Sequence, residues 1–206
     1  MFRIIGYLII FIFSLLLVLS NHIIWNSSKY QSILFRDAEN GSFIFNLEDL
    51  DKFNKNFPSL VLNSVPNNTY ISRYYTNSNN FEKAIQLLKE GMELNPYSSY
   101  TLYLMSRNYI FNEDIQGSLQ PLEKAFELSP NIESISSLYF VVLSELNKDE
   151  KLKKLFIHIQ DIDSYNIWKF YLTSLKNLKI NQKDPIFFQR VHSASLDKFE
   201  INISLD

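Results

Sequence analysis

Two regimes of hydrophobic patterning divide the chain. Residues 4 to 19 form an uncharged apolar run behind Arg3, and the run continues through Ser20-Asn21-His22 into Ile23-Ile24-Trp25. At a rise of about 1.5 Å per residue, a helix from Ile4 to Trp25 is roughly 33 Å long, enough to cross a hydrocarbon core of roughly 30 Å. Farther on, apolar positions recur at helical spacing. Ile132, Ile135, Leu138, Tyr139, Val142, Leu143 and Leu146 occupy one helix face, Asn147-Lys148-Asp149 breaks the run, and Leu152, Leu155, Phe156 and Ile159 resume it. Tyr165 to Leu178 predicts a further helix, and Asp184-Pro185 starts a short one by cap and first-turn preference. Between the regimes, Asn46 to Phe53 predicts a short amphipathic helix ended by Phe57-Pro58. The last ten residues are expected to fray.

The amino-terminal run fits an uncleaved membrane anchor or a signal peptide cut after Ser20. The anchor is preferred, because the run exceeds an h-region of about 7–15 residues and no Ala-x-Ala site follows. Basic residues are nearly balanced across it, with Arg3 on one side and Lys29 and Arg36 beside Asp37 and Glu39 on the other. The short leader resembles a translocation signal. It places the remaining chain outside the cytoplasm, as a single-pass protein of a bacterial inner membrane with Trp25 and Tyr30 at the outer interface.

A search for self-similarity finds a period of 34 residues without gaps. Ile71-Ser72-Arg73-Tyr74-Tyr75 aligns with Met105-Ser106-Arg107-Asn108-Tyr109, Ala84 with Ser118, Leu88 with Leu122, Gly91 with Ala125, Glu93-Leu94 with Glu127-Leu128, and Pro96 with Pro130. Small residues at 84, 118, 91 and 125 allow two helices to approach closely, and the closing prolines end the second helix. Pro121 falls inside a second helix, where it predicts a kink or fraying at a cost of about 3 kcal/mol.

This spacing resembles the tetratricopeptide repeat (TPR), with Ile71-Ser72 and Met105-Ser106 in place of its Leu-Gly pair and Tyr75 and Tyr109 as its tyrosine. The opening tryptophan is replaced by Asn68 and Leu102. The expected fold is all-α: a single transmembrane helix followed by a short TPR-like helical-hairpin solenoid of about three hairpins plus a capping helix. The domains are then 1-26, anchor or signal segment; 27-64, a linker or juxtamembrane segment; 65-164, repeats at 65-98, 99-132 and 133-164; and 165-206, capping helix and tail.

The resemblance implies a partner-binding groove lined by the first helix of each pair. In register these positions are Thr69, Arg73 and Thr76, then Tyr100, Tyr103, Arg107 and Ile110, then Ser137 and Val141. Arg73 and Arg107, one repeat apart, would stand roughly 10 Å from each other. Guanidinium groups beside tyrosine rings suit an acidic or C-terminal peptide segment of a protein partner. Alternatively, each arginine pairs with a carboxylate of an adjacent helix, such as Glu113 or Glu127. The lysine-and-asparagine clamp of chaperone-tail-binding members is absent. The expected function is a membrane-anchored adaptor at the extracytoplasmic face.

A narrower resemblance rests on Leu94-Asn95-Pro96-Tyr97 and on residues Ala125 to Asn131. Across about 58 to 175 these look similar to the periplasmic TPR tail of O-antigen ligase and polymerase-type proteins, which implies, as an alternative, a non-catalytic accessory subunit of cell-envelope polysaccharide assembly.

Composition narrows the chemistry. A formal charge of −2 and a pI near 5.9 lack the basic footprint of a nucleic-acid binder. Without cysteine there is no disulfide, thiolate nucleophile or cysteine-held metal. Four Gly and six Pro favour helices over loop-rich folds. His22, His158 and His192 have no metal-ligand spacing, and His158 reads as a structural histidine among apolar neighbours. No Gly-rich phosphate loop or nucleophile elbow is present. No catalytic activity, cofactor, metal or small-molecule ligand is therefore expected.

Overall fold

The computed structural model describes residues 2–52, 61–62 and 64–199. The predicted stop at Phe57-Pro58 and the last residues of the tail lie outside these. The chain forms two compact units, Met1–Asn95 and Pro96–Asp206.

In the first unit, α1 (Phe2–Asn40) is a single helix of 39 residues. Residues 7–25 are exposed throughout. Residues 27–40, expected to belong to a linker or juxtamembrane segment, continue α1 as helix, where the pattern changes from uniformly apolar to amphipathic. Gln31, Leu34 and Ala38, at i, i+3 and i+7, are buried together with Asp37. This face packs on α3 (Asn67–Asn77), and Phe35 meets Tyr70 edge-on with ring centroids 5.9 Å apart. After Gly41, whose φ of 68° suits glycine, α2 (Leu47–Lys52) follows. A short antiparallel pair joins β1 (Val61–Leu62) to β2 (Val65–Pro66). α3 then folds back on α4 (Phe81–Leu94), burying Ala84, Leu87, Leu88 and Gly91.

The second unit comprises α5 (Ser99–Phe111), α6 (Ile115–Leu128), α7 (Glu133–Glu145), α8 (Asp149–Lys154), α9 (Phe156–Ile159), α10 (Tyr165–Asn177), α11 (Ile180–Lys183) and α12 (Pro185–Phe199). The repeat is legible in the backbone itself. α6 begins 34 residues after α4 and has the same 14 residues; α7 begins 34 after α5, each with 13. Each hairpin turns through a left-handed residue at the same register: Asn79 at φ 59°, Glu113 at 61° and Asn147 at 52°. The amide that follows bonds back to the helix, from Asn80 to the Tyr75 carbonyl at 2.8 Å, Asp114 to Tyr109 at 2.9 Å and Lys148 to Leu143 at 2.9 Å. These are Schellman closures, and they satisfy carbonyls that a helix end otherwise leaves open. Asn80 and Asp114 then cap the next helix by accepting from the Lys83 and Gly117 amides.

Glu113 occupies a backbone conformation that favours glycine. Replacing it with glycine (E113G) is expected to stabilise the second unit by about 0.5–1 kcal/mol in chemical denaturation. A neutral or destabilising result would show that the Glu113 side chain contributes more than its strained backbone costs.

The expected cap at the carboxyl end is itself a hairpin. α10 matches α7 in length, and Lys179 supplies the left-handed turn at φ 56°, 32 residues after Asn147. Its return arm is split into α11 and α12. Asp184 caps α12 by accepting from the Phe187 amide at 3.2 Å, as the Asp-Pro pair predicts, but the helix is 15 residues long rather than short. α6 also runs unbroken across Pro121. Proline leaves the Gly117 carbonyl, four residues earlier, without its usual amide donor; a side chain at Gly117 would instead meet the Asp114 carboxylate that caps the helix.

The core of this unit is an aromatic series running through α6, α7 and α10. Phe126 lies 5.2 Å from Tyr139 and 6.0 Å from Phe140, and Phe140 lies 5.3 Å from Tyr171. Burial pushes the Tyr171 phenol well above its ordinary range, and its hydroxyl donates to the Leu152 carbonyl at 3.0 Å. Trp168, also buried, donates from Nε1 to the Ile162 carbonyl at 3.0 Å. Polar partners thus orient the largest core rings. At the edge, Lys153 bridges Glu150 and Asp184, while Lys183 pairs with Asp149, tying α8 to the last hairpin.

Candidate functional site

The positions predicted to face a partner fall into different environments. In the second unit, Tyr100, Tyr103, Arg107 and Ile110 all lie half-buried on α5. Tyr103, Arg107 and Phe111 are spaced by four residues, so they share one helix face. The Arg107 guanidinium carbon stands 5.7 Å from the Tyr103 ring and 5.3 Å from the Phe111 ring. A guanidinium held between rings has lost part of its conformational freedom before any ligand arrives. Among the described residues it makes no ion pair, neither with Glu113 nor with Glu127. On α7 the equivalent of Tyr103 is Ser137, which is buried, and that of Arg107 is Val141, which is exposed.

Arg73, in the first unit, is used differently. Its Nη1 donates to the Ala38 carbonyl at the end of α1, and its guanidinium lies over Phe43 at 6.0 Å. Thr69 is fully buried and therefore offers nothing to a surface. Thr76 is half-buried and donates to the Ser72 carbonyl at 3.1 Å. Arg73 and Arg107 thus occupy one repeat register yet differ in local role: one fastens α1 to the hairpin, the other is framed by aromatic rings.

Sequence reasoning missed the group that Arg73 joins. Asp37 is fully buried, and its carboxylate accepts from the Tyr74 hydroxyl, from the Ile44 amide at 2.9 Å and from the Ser42 hydroxyl at 3.3 Å. Burial first, and then the bond to Asp37 and its charge, hold the Tyr74 phenol far above its ordinary value of 10.0. Phe43 and Phe45 flank Tyr74 at 4.9 and 6.3 Å. A lone Asp in an exposed-looking charge cluster gives no sequence signal of burial; only its partners, 5 to 37 residues away, reveal it.

His158 is exposed rather than set among core residues, because α9 turns its other side, Phe156 and Ile159, inward. Among the described residues, no group of three or more His, Asp or Glu side chains could hold a metal ion. The remaining distinctive surface is α1, whose apolar stretch is long enough to cross a membrane.

No family model and no curated protein matches the chain. Solved structures do. The crystal structure of MamA protein is similar at a TM-score of 0.58 and 14% identity, over 86% of this chain and 97% of that one. A second MamA crystal structure gives 0.56 and 14%, over 82% and 98%. The likeness is of fold: a TPR-like helical repeat. It does not bear on the resemblance to O-antigen ligase tails.

Proposed function

We propose that this chain is a membrane-anchored, non-catalytic adaptor that captures a partner protein on its repeat helices at the extracytoplasmic face. A helical repeat of this kind supports a role in protein–protein interaction. The observation that carries the finer reading is Arg107: a cation fixed between two aromatic rings, half-exposed, and with no carboxylate of the described chain to neutralise it. An acidic or C-terminal peptide segment is the complementary ligand, since guanidinium donates to carboxylate bidentately and tyrosine adds a stacking face and a hydroxyl. The anchor would be residues 4-25 of α1, of which 7–25 are exposed and largely apolar.

Arg107, Tyr103 and Tyr100 are the residues assigned to partner capture. Arg73, Thr69 and Thr76 are left out of it, because their side chains serve the first unit. The Arg107→Glu variant is expected to bind the partner at least about 30-fold more weakly, the range for losing a charged hot-spot contact and adding like-charge repulsion, with the unfolding midpoint unchanged. Affinity measured by titration against captured partner, alongside denaturation of the same sample, checks both halves.

A further inference from the structure

The turn of α1 where the apolar stretch ends carries a polar cluster that neither the hairpin nor the adaptor reading uses. His22, Trp25, Asn26 and Lys29 stand at i, i+3, i+4 and i+7, hence on one helix face. They are already organised by one another. Asn26 Nδ2 and His22 Nε2 are 3.0 Å apart, the His22 and Trp25 rings stack at 6.5 Å, and the Lys29 ammonium lies 5.8 Å from the Trp25 ring. Trp25 is 62% exposed, so no protein group in its own unit covers it.

The face opposite is the one that docks. Gln31, Leu34 and Ala38 centre roughly 160° away from the cluster at 3.6 residues per turn, and they are buried. The cluster therefore points away from the α3–α4 hairpin and remains open; with residues 4-25 as the anchor it would lie at the level where acyl chains give way to headgroups. Its chemistry suits that level. An indole prefers the interface, a lysine stem lies along apolar surface while its ammonium reaches outward, and an amide and an imidazole donate to phosphate oxygens.

We propose that His22, Trp25, Asn26 and Lys29 form a binding site for the headgroup of an anionic phospholipid, on the side of α1 away from the hairpin. This rests on the reading of α1 as a membrane anchor. Charge supplies the selectivity: a lysine at an anionic bilayer surface is worth about a fivefold preference over a zwitterionic one. Because α1 is continuous with the segment docked by Asp37, a lipid held on one side of the helix also fixes the rotational setting of the first hairpin above the membrane.

The test uses the full chain reconstituted into phosphatidylcholine vesicles containing brominated phosphatidylglycerol or, separately, brominated phosphatidylcholine at equal mole fraction. Trp25 fluorescence is read after subtracting the signal of a Trp25→Phe variant, which retains only the buried Trp168. Stronger quenching by the anionic lipid, corresponding to about a fivefold preference and lost in Lys29→Glu, is the expected result. Equal quenching by both lipids, or a preference that survives Lys29→Glu, overturns the site while leaving the anchor standing. Release of the chain from both vesicles by an alkaline wash removes the anchor reading and the site with it.

Discussion

Replacing Asp37 with alanine should release the end of α1 from the first hairpin at a cost of about 2–4 kcal/mol, although the residue lies on no interacting surface of the repeat. The carboxylate is fully buried and accepts from a tyrosine, a serine and a backbone amide. Its removal leaves the Tyr74 hydroxyl and the Ile44 amide without the acceptor around which that pocket is built. Tyr74→Phe should cost less, about 1–2 kcal/mol, since the Ile44 and Ser42 donors remain. Hydrogen exchange read at the α3 amides distinguishes the two: protection should fall markedly in Asp37→Ala and modestly in Tyr74→Phe. Equal protection in Asp37→Ala and wild type would mean that α1 is held by its apolar contacts alone. The joint also has a defined alkaline response. The folded phenol holds its proton above the ordinary value of 10.0, so its stabilisation is complete below about pH 10 and declines at higher pH, as the unfolded chain loses the proton first.

The second large effect belongs to the core of the carboxyl-terminal unit. Phe140 is fully buried between Phe126 and Tyr171, and truncation to alanine should cost about 3–5 kcal/mol through lost burial and an unfilled cavity. Tyr171→Phe keeps the ring and loses the bond to the Leu152 carbonyl, for about 1 kcal/mol. Denaturant titration of both variants separates ring packing from hydroxyl anchoring. If the two were equally destabilising, the hydroxyl would carry the core and the aromatic series would be incidental.

The helical repeat was readable before any coordinates because its constraints are local and recur. Small residues at 84, 118, 91 and 125 and the closing prolines repeat at one period; the left-handed turns at Asn79, Glu113 and Asn147 follow the same period in the structure. The fourth hairpin escaped notice because its period shortens to 32 and its return arm is interrupted at Asp184. Pro121 misled because propensity is only a local prior: α6 continues across it while burying Leu122, Ala125 and Phe126, so tertiary packing overrides the local cost. The continuation of α1 was hidden for a different reason. Residues 27–40 carry a short amphipathic stretch mixed with Lys29, Arg36, Asp37 and Glu39, and their helical face is defined only by what α3 covers.

The candidate site was legible in part. Register alone placed Arg73 and Arg107 in equivalent positions, but register cannot say what each meets. Arg73 reaches a carbonyl 35 residues earlier in the sequence, a partner set by tertiary packing. Arg107 meets Tyr103 and Phe111 one turn to either side, contacts that helical spacing does encode.

That α5 presents a partner-binding face is tested most directly by crosslinking the tagged full-length chain in its native membrane, in wild-type and Arg107→Glu forms. Mass spectrometry of co-purified proteins is compared at equal levels of folded protein. Loss of a specific partner from the variant, with acidic residues of that partner crosslinked near Tyr103, is the predicted outcome. An unchanged set of partners in a well-folded Arg107→Glu protein would contradict it.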